Sequence, residues 1–277
     1  MIPPLARRFL AGETPDAALT HAASVNERNV GAILNLLGEH YDDREAAAAD
    51  AETYCRLASD IAATDLNACL SVKPTQLGLA IGEACFRDNL ETVVAHAAER
   101  DVFVWLDMED HGTTAPTLDA FERHARDHGD VGVCVQANLK RTGTDLERLA
   151  GLPGKVRLVK GAYNPPAAVA HTDRECIEAR MRENLEFMFR EFEDGVALGS
   201  HDPDLIALSA DLHETYGTPY EIQMLLGVRT QAQYDLAAHH DVYQYAPFGT
   251  RWPAYFYRRM TERWENVGFA LRALLSG

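Results

Sequence analysis

The chain has 277 residues, of which 47% are hydrophobic, and a net charge of −16, with 4 lysines against 22 arginines. This length and composition suffice for one large hydrophobic core. The acidic balance repels nucleic acid and anionic lipid, so neither is expected as a partner.

Targeting and cross-linking signals are weak along the sequence. No run approaches the roughly 20 apolar residues of a membrane span, and residues 1–8 lack the apolar stretch of a secretory signal. The cysteines are odd in number and have no close pairs: Cys55, Cys69, Cys85, Cys134 and Cys176. A zinc or disulfide framework is therefore not expected. We expect a reducing, cytoplasmic location instead.

Taken in chain order, the sequence alternates short apolar runs with amphipathic segments. Thr14 before Pro15 predicts a capped helix from Pro15 to Glu27. The apolar runs are Val30–Gly38, Asn67–Val72, Val102–Met108, Val131–Ala137, Val156–Gly161, Val196–Gly199, Tyr220–Leu225 and Val242–Tyr245. The clearest amphipathic segments are Thr117–His128, Thr172–Phe192 and Asp204–Tyr216, and Trp252–Leu275 predicts a last helix.

Buried strands that alternate with helices indicate a parallel sheet covered on both sides, and eight of them favour a (β/α)8 barrel. No linker-like stretch divides the chain. We therefore expect one α/β barrel domain over residues 1–277, with residues 1–29 as a helical extension and residues 30–277 as the barrel.

Polar side chains recur where the apolar runs end, which is where such barrels carry their active sites. They include Lys73, Asp107, Glu109, Gln136, Asn138, Arg157, Lys160, Ser200, His201, Glu221, Gln223 and Tyr245. Burying so many polar groups is costly unless they pair or bind a ligand, so their recurrence predicts a functional site.

The types of these residues exclude several enzyme classes. Metal-ligand spacing, a Gly-x-Ser-x-Gly elbow and a Gly-x-Gly-x-x-Gly loop are missing from the sequence, which argues against a metal site, a serine hydrolase and a Rossmann dinucleotide site. The cationic strand ends instead suit an anionic cofactor and a carboxylate-bearing substrate.

These segments resemble the proline dehydrogenase family over about residues 30–266. The most specific blocks are Arg157-Leu158-Val159-Lys160-Gly161-Ala162-Tyr163 and Tyr255-Phe256-Tyr257-Arg258-Arg259-Met260-Thr261-Glu262. Further blocks begin at Asn35, Lys73, Leu106, Val135, Ser200, Glu221 and Tyr245. The resemblance implies FAD-dependent oxidation of L-proline to Δ1-pyrroline-5-carboxylate, in the form without a fused aldehyde dehydrogenase domain.

The resemblance also implies which residues contact the cofactor and the substrate. The residues expected at FAD are Met108, Gln136, Arg157, Lys160, Gly161, Ala162, Tyr163, Arg174, Ser200, His201, Gln223 and Glu262. Those expected at proline are Lys73, Leu225, Tyr245, Tyr255, Arg258 and Arg259. Asp107, Arg157 and Lys73 would serve catalysis, and Glu39 would pair with Arg258 as a gate over the substrate.

The partners expected from the resemblance are L-proline, a quinone acceptor reached by transient membrane contact, and a separate pyrroline-5-carboxylate dehydrogenase. Two alternatives stay open from the residues. One is a flavin barrel oxidoreductase that acts on another cyclic amine or imino acid, and the other is a barrel kept as a non-enzymatic ligand-binding protein.

The acidic, lysine-poor composition resembles that of halophilic proteins, although an ordinary acidic enzyme from a GC-rich genome would share it. If the surface is adapted to salt, screening should relieve the self-repulsion of a net charge of −16. We predict a higher Tm in molar salt than in low salt, measured by thermal unfolding. Equal Tm values would remove the halophile interpretation.

Overall fold

A computed structural model describes residues 7–252, in which eight parallel strands form a closed barrel. In chain order the strands are β1 (Val30–Leu36), β2 (Ala68–Val72), β3 (Val104–Leu106), β4 (Val131–Gln136), β5 (Lys155–Val159), β6 (Val196–Gly199), β7 (Tyr220–Leu225) and β8 (Asp241–Phe248). Each strand pairs with the next in the chain, and β1 closes the barrel by pairing with β8 from Val30↔Val242 to Leu36↔Phe248. The predicted barrel is confirmed.

The helices surround this barrel. They are α1 (Pro15–Asn26), α2 (Arg44–Ala62), α3 (Glu83–Ala98), α4 (Thr114–His128), α5 (Thr142–Leu149), α6 (Arg174–Glu191), α7 (Pro203–Tyr216) and α8 (Thr230–Leu236). The predicted cap of α1 is confirmed, because Thr14 Oγ1 accepts a hydrogen bond from Ala17 N at 3.3 Å. Beyond Trp252, the predicted C-terminal helix lies outside the described residues. Within residues 7–252, no helix is both long and apolar enough to span a membrane.

The two faces of the barrel wall differ in chemistry because side chains alternate along each strand. Outward-facing residues such as Leu34, Leu70 and Leu198 are fully buried against the helices in the main hydrophobic core. Inward-facing residues form a separate small cluster that includes Ile33 and Trp105. Toward the carboxyl ends of the strands the buried interior becomes polar, with Asn35, Ser71, Asp107, Gln136, Arg157 and Gln223. The interior therefore combines an apolar cluster with polar groups that are most numerous toward the carboxyl ends of the strands.

A histidine on α4 is buried beside an arginine, with the carboxylate of Glu91 3.9 Å from its Nδ1. His124 is fully buried, its Nε2 lies 3.2 Å from Arg123 Nη2, and its Nδ1 has no hydrogen-bond partner among the described residues. Burial and the charge of Arg123 lower the pKa of His124 to about 4. The folded protein therefore holds this imidazole neutral at pH values where the unfolded chain would protonate it.

This histidine should lower the free energy of unfolding as the pH falls. Because the pKa of His124 is lower in the folded protein, keeping this ring neutral costs nothing above the unfolded-chain pKa of 6.5. The cost grows, and the free energy of unfolding declines, as the pH falls toward about 4. In His124→Gln, unfolding free energies between pH 7.5 and pH 5 should decline less than in the wild type, by about 2 kcal/mol. Urea titrations at both pH values measure this, and identical pH slopes in the two proteins would contradict a neutral His124.

Candidate active site

The carboxylate of Asp107, directly after β3, accepts four hydrogen bonds inside the barrel mouth. Its Oδ1 accepts from Ser71 Oγ at 2.7 Å and Arg157 Nη2 at 2.5 Å. Its Oδ2 accepts from Lys73 Nζ at 3.0 Å and Tyr245 OH at 2.6 Å. The donors come from β2, β5 and β8, so barrel closure gathers them around one residue. The sequence predicted Lys73, Arg157 and Tyr245 at the site, and the structure brings all three together.

The charges in this cluster fix the protonation states of its members. Burial alone would raise the pKa of Asp107, but Lys73 and Arg157 outweigh it and hold that pKa below its usual range. Burial alone would lower the pKa of Lys73, yet the charge of Asp107 raises it well above its ordinary value. Burial and the Asp107 charge raise the pKa of Tyr245 well above 10.0. At neutral pH the carboxylate is therefore ionised, while the lysine and the phenol keep their protons.

Arg157 extends the cluster downward into the barrel. Its Nη1 donates to Gln223 Oε1 at 2.8 Å, and its guanidinium carbon lies 5.0 Å from the ring centre of Trp105. Gln223 Nε2 in turn donates to Glu221 Oε1 at 2.6 Å, and Lys155 Nζ donates to Glu221 Oε2 at 2.5 Å. The side chain of Gln223, which we expected at the cofactor, is thus bonded at both ends within the barrel.

Gln136 ties together the ends of β3, β4 and β5. Its Nε2 donates to the carbonyl of Glu109 at 2.9 Å, and its Oε1 accepts from Ala162 N at 2.9 Å. Gly161 lies beside Asn138 with a φ of +119°, where a side chain would collide with the Asn138 amide. The structure therefore brings the predicted segment 161–163 against the predicted Gln136.

On the far side of the mouth, a histidine and a leucine join β6 to β7. His201 Nε2 accepts a hydrogen bond from the backbone N–H of Leu225 at 3.1 Å. Ser200 Oγ accepts from Asp202 N at 3.1 Å, at the start of α7. Leu225 is half-buried at the end of β7. This contact fixes the orientation of the His201 ring relative to Leu225.

Other predicted site residues are placed less centrally. Met108 is buried, whereas Lys160 is exposed. Arg174 Nε donates to Glu178 Oε1 at 2.7 Å on the first turns of α6. Tyr255, Arg258, Arg259 and Glu262 lie outside the described residues.

The predicted gate residue Glu39 lies near two further side chains. Ligand atoms of Glu39, His40 and Glu109 are within 4.8 Å of one another. Both carboxylate oxygens of Glu109 already accept hydrogen bonds from Thr75, at 2.7 Å from its N–H and 2.6 Å from its hydroxyl. Burial raises the pKa of Glu109.

Sequence reasoning missed Ser71 and Trp105 as members of the cluster. A signal for both was present, because side chains two positions apart in a strand face the same side. Lys73 and Asp107 were expected inside the barrel mouth, so Ser71 and Trp105 had to face the interior as well. From these positions Ser71 donates a hydrogen bond to Asp107, and the ring of Trp105 packs against the guanidinium of Arg157.

A closed parallel barrel with paired charges buried at the carboxyl ends of its strands defines a barrel enzyme. The family profile described as "Proline dehydrogenase" matches residues 18–272. The chain belongs to the proline dehydrogenase family.

Individual relatives agree with this assignment. Proline dehydrogenase 1 of Bacillus subtilis is 32% identical over 274 residues, which cover 98% of this chain and 90% of the relative. Proline dehydrogenase of Deinococcus radiodurans is 31% identical over 282 residues, covering 99% and 91%. The fold is similar to that of proline utilization A from Bdellovibrio bacteriovorus, with a TM-score of 0.83 and 23% identity, covering 92% of this chain and 32% of that one.

Membership of this family implies a flavin cofactor, and the residues at the barrel mouth fit an anionic group of that kind. Arg157 is a permanent cation within the mouth, and Lys73 supplies a second. Asn138 is buried beside Gly161, and its Oδ1 has no hydrogen-bond partner among the described residues. The missing side chain at Gly161 leaves the space that this Asn138 amide occupies.

Removing the negative charge of Asp107 should destabilise the protein strongly. In Asp107→Asn, Lys73 and Arg157 stay buried without their counter-charge, and we expect a loss of about 3–5 kcal/mol of unfolding free energy. Urea denaturation measures it. The matched control is Asp119→Asn, because Asp119 is exposed and pairs with Arg148 at 2.6 Å; it should cost less than about 1 kcal/mol. Equal losses would contradict the role of Asp107.

Proposed function

We propose that this protein oxidises L-proline to Δ1-pyrroline-5-carboxylate with FAD as its cofactor. The observation that carries the proposal is the buried cluster of Asp107, Lys73, Arg157 and Tyr245 at the barrel mouth. The family profile and the names of the relatives support the substrate. The family resemblance supports FAD as the particular flavin.

Lys73 would bind the substrate carboxylate. Its ammonium has three donors, and the one hydrogen bond of its Nζ found within residues 7–252 goes to Asp107. Its side chain is 14% exposed, so the ammonium is desolvated but reachable from the mouth. A carboxylate placed there gains a charge-assisted hydrogen bond in a poorly solvated site. Arg258 and Arg259 complete the proposed clamp on the grounds of the family motif.

Tyr245 and Leu225 would shape the slot for the pyrrolidine ring, together with Tyr255 from the family motif. The hydrogen bond from Tyr245 OH to Asp107 at 2.6 Å holds the phenol in one orientation. The backbone contact with His201 holds Leu225. A slot with fixed walls excludes larger amino acids by steric fit.

The cofactor would be held mainly by Arg157, Gln136, Lys160 and the backbone of residues 161–163. The other residues proposed to contact it are Met108, Arg174, Ser200, His201, Gln223 and Glu262. Arg157 would stabilise negative charge near the reacting atoms, because Asp107 and Gln223 fix its guanidinium in place. The flavin, when bound, supplies the two-electron acceptor for the hydride from the substrate carbon next to nitrogen.

The protonation states of the cluster determine which group can accept the proton of the substrate amine. Asp107 has a lowered pKa, so it is a poor base, while Lys73 and Tyr245 hold their own protons at neutral pH. None of the three therefore accepts the proton. The positive charges of Lys73 and Arg157 instead favour the neutral amine, and water takes the proton before the hydride leaves.

The wider setting belongs to the same proposal and draws its support from the family resemblance. A quinone would reoxidise the cofactor through transient membrane contact, and a separate pyrroline-5-carboxylate dehydrogenase would consume the product in the cytoplasm. Glu39 and Arg258 would form a gate. We further propose that residues 1–277 are one domain, since the strands of a single barrel extend from Val30 to Phe248.

The purified protein should be yellow, release FAD on denaturation and bleach on anaerobic addition of L-proline. Lys73→Met should keep its flavin spectrum but need on the order of ten-fold or more proline for the same bleaching, because one charge-assisted contact is lost. The six-membered homologue pipecolate and D-proline serve as controls. A protein that takes up no FAD would overturn the proposal, and faster bleaching by another cyclic amine would favour the alternative substrate class.

A further inference from the structure

Two glutamines, one on the outer face of the barrel wall and one on a helix that packs there, are fully buried and bonded to each other. Gln244 lies in the middle of β8, and Gln233 lies in α8. Gln244 Nε2 donates to Gln233 Oε1 at 2.6 Å. Neither residue belongs to the family motifs or to the predicted site. A fully buried pair of amides is costly unless every polar atom is satisfied, so their remaining contacts are informative.

The contacts of Gln233 determine how both amides point. Gln233 Nε2 donates to two backbone carbonyls, those of Leu225 at 2.9 Å and Val228 at 2.8 Å. A flipped amide would direct its oxygen at two other oxygens, so this orientation is fixed. Gln244 must then offer its own NH2 group to Gln233, which leaves Gln244 Oε1 facing His21 Nε2 at 2.6 Å. His21 in α1 must therefore carry a proton on Nε2.

The chain of bonds ends at the turn between β7 and α8, where the backbone N–H of Val228 donates a long hydrogen bond, 3.3 Å, to the carbonyl of Leu225. Gly227 and Arg229 both have positive φ angles, +81° and +48°, and no side chain caps α8. Gln233 supplies two hydrogen bonds to this turn from outside. One of them holds the carbonyl of Leu225, whose neighbouring N–H holds the His201 ring.

We propose that Gln233 and Gln244 are positioning residues for the wall of the substrate slot that Leu225 and His201 form. The inference rests on the proposed function, because it concerns the same slot. The backbone of Leu225 makes two side-chain hydrogen bonds: its N–H donates to His201, and its carbonyl accepts from Gln233. Without the glutamine pair the Leu225 carbonyl keeps the 3.3 Å bond from Val228 N–H but loses the shorter bond from Gln233, and the Leu225 side chain shifts relative to Tyr245 and Lys73.

Steady-state kinetics of the FAD-loaded protein test this assignment. In Gln233→Leu and Gln244→Leu, which keep similar volume but lose the amide, KM for L-proline should rise on the order of ten-fold through misplacement of the wall. The change in kcat should stay within about two-fold, since the lost contact acts on ground state and transition state alike. The dissociation constant of a proline-like cyclic carboxylate without the ring nitrogen should rise in parallel with KM.

Thr218→Val is the matched control. Thr218 is buried just before the opposite end of β7, and its Oγ1 donates to the carbonyl of Phe189 at 2.6 Å. The control and the glutamine variants should all lower Tm, but only the glutamine variants should raise KM. Equal KM values in the glutamine variants and Thr218→Val would reduce the pair to a purely structural role and overturn the proposal.

A second measurement does not depend on turnover. Burial lowers the pKa of His21, so its ring is neutral at pH 8. In the wild type, nitrogen NMR of labelled histidine should show the His21 proton on Nε2, and Gln244→Leu should change that signal. A proton on Nδ1 in the wild type would break the chain of bonds and overturn the proposal even if the variants do not fold. Failure of the wild type to oxidise proline would instead count against the proposed function.

Discussion

The carboxylate of Asp107 is the group on which the rest of the barrel mouth depends. Two cations, Lys73 and Arg157, face one carboxylate, so the cluster retains one positive charge in a poorly solvated interior. That surplus is partly offset by the rings of Trp105 and Tyr245, whose centres lie 5.0 and 5.7 Å from the guanidinium carbon of Arg157. It also explains what the mouth attracts, since the carboxylate of a substrate or another anionic group neutralises the remaining charge. The same interaction that permits the cations to be buried thus prepares the site for an anion.

Much of this arrangement could be predicted from the sequence, because it follows from local rules. Apolar runs of strand length gave the strands to within a few residues at most ends, and β6 and β7 coincide with the predicted ranges. In a parallel barrel all carboxyl ends meet on one side, so Lys73, Asp107 and Arg157 had to lie near one another. Lys73 and Asp107 pair at 3.0 Å.

What the sequence could not give is the choice of partners across the barrel. Gln223 was expected to face the cofactor, yet its amide bridges Arg157 and Glu221, which depends on the stagger of β5 and β7. The bond from Tyr245 OH to Asp107 joins residues 138 positions apart in the chain. The glutamine pair was invisible for a similar reason, since the turn that places α8 against β8 lies between β7 and α8 and has positive φ angles at Gly227 and Arg229. Local patterns fix which way a side chain faces, while side-chain pairing depends on the closed three-dimensional barrel.

The pairing of the first strand with the last also has a consequence for how the molecule is made. Strand β1 finds its second neighbour only when β8, about two hundred residues later, has left the ribosome. Until then β1 and the most recently formed strand are open edges, which are prone to pair with other chains. Tyr245 lies on β8, so the Asp107 cluster cannot be complete on a partly synthesised chain. The cluster that neutralises Lys73 and Arg157 is therefore completed only at the end of synthesis. Until then, the unpaired strand edges of the nascent chain need protection from other chains.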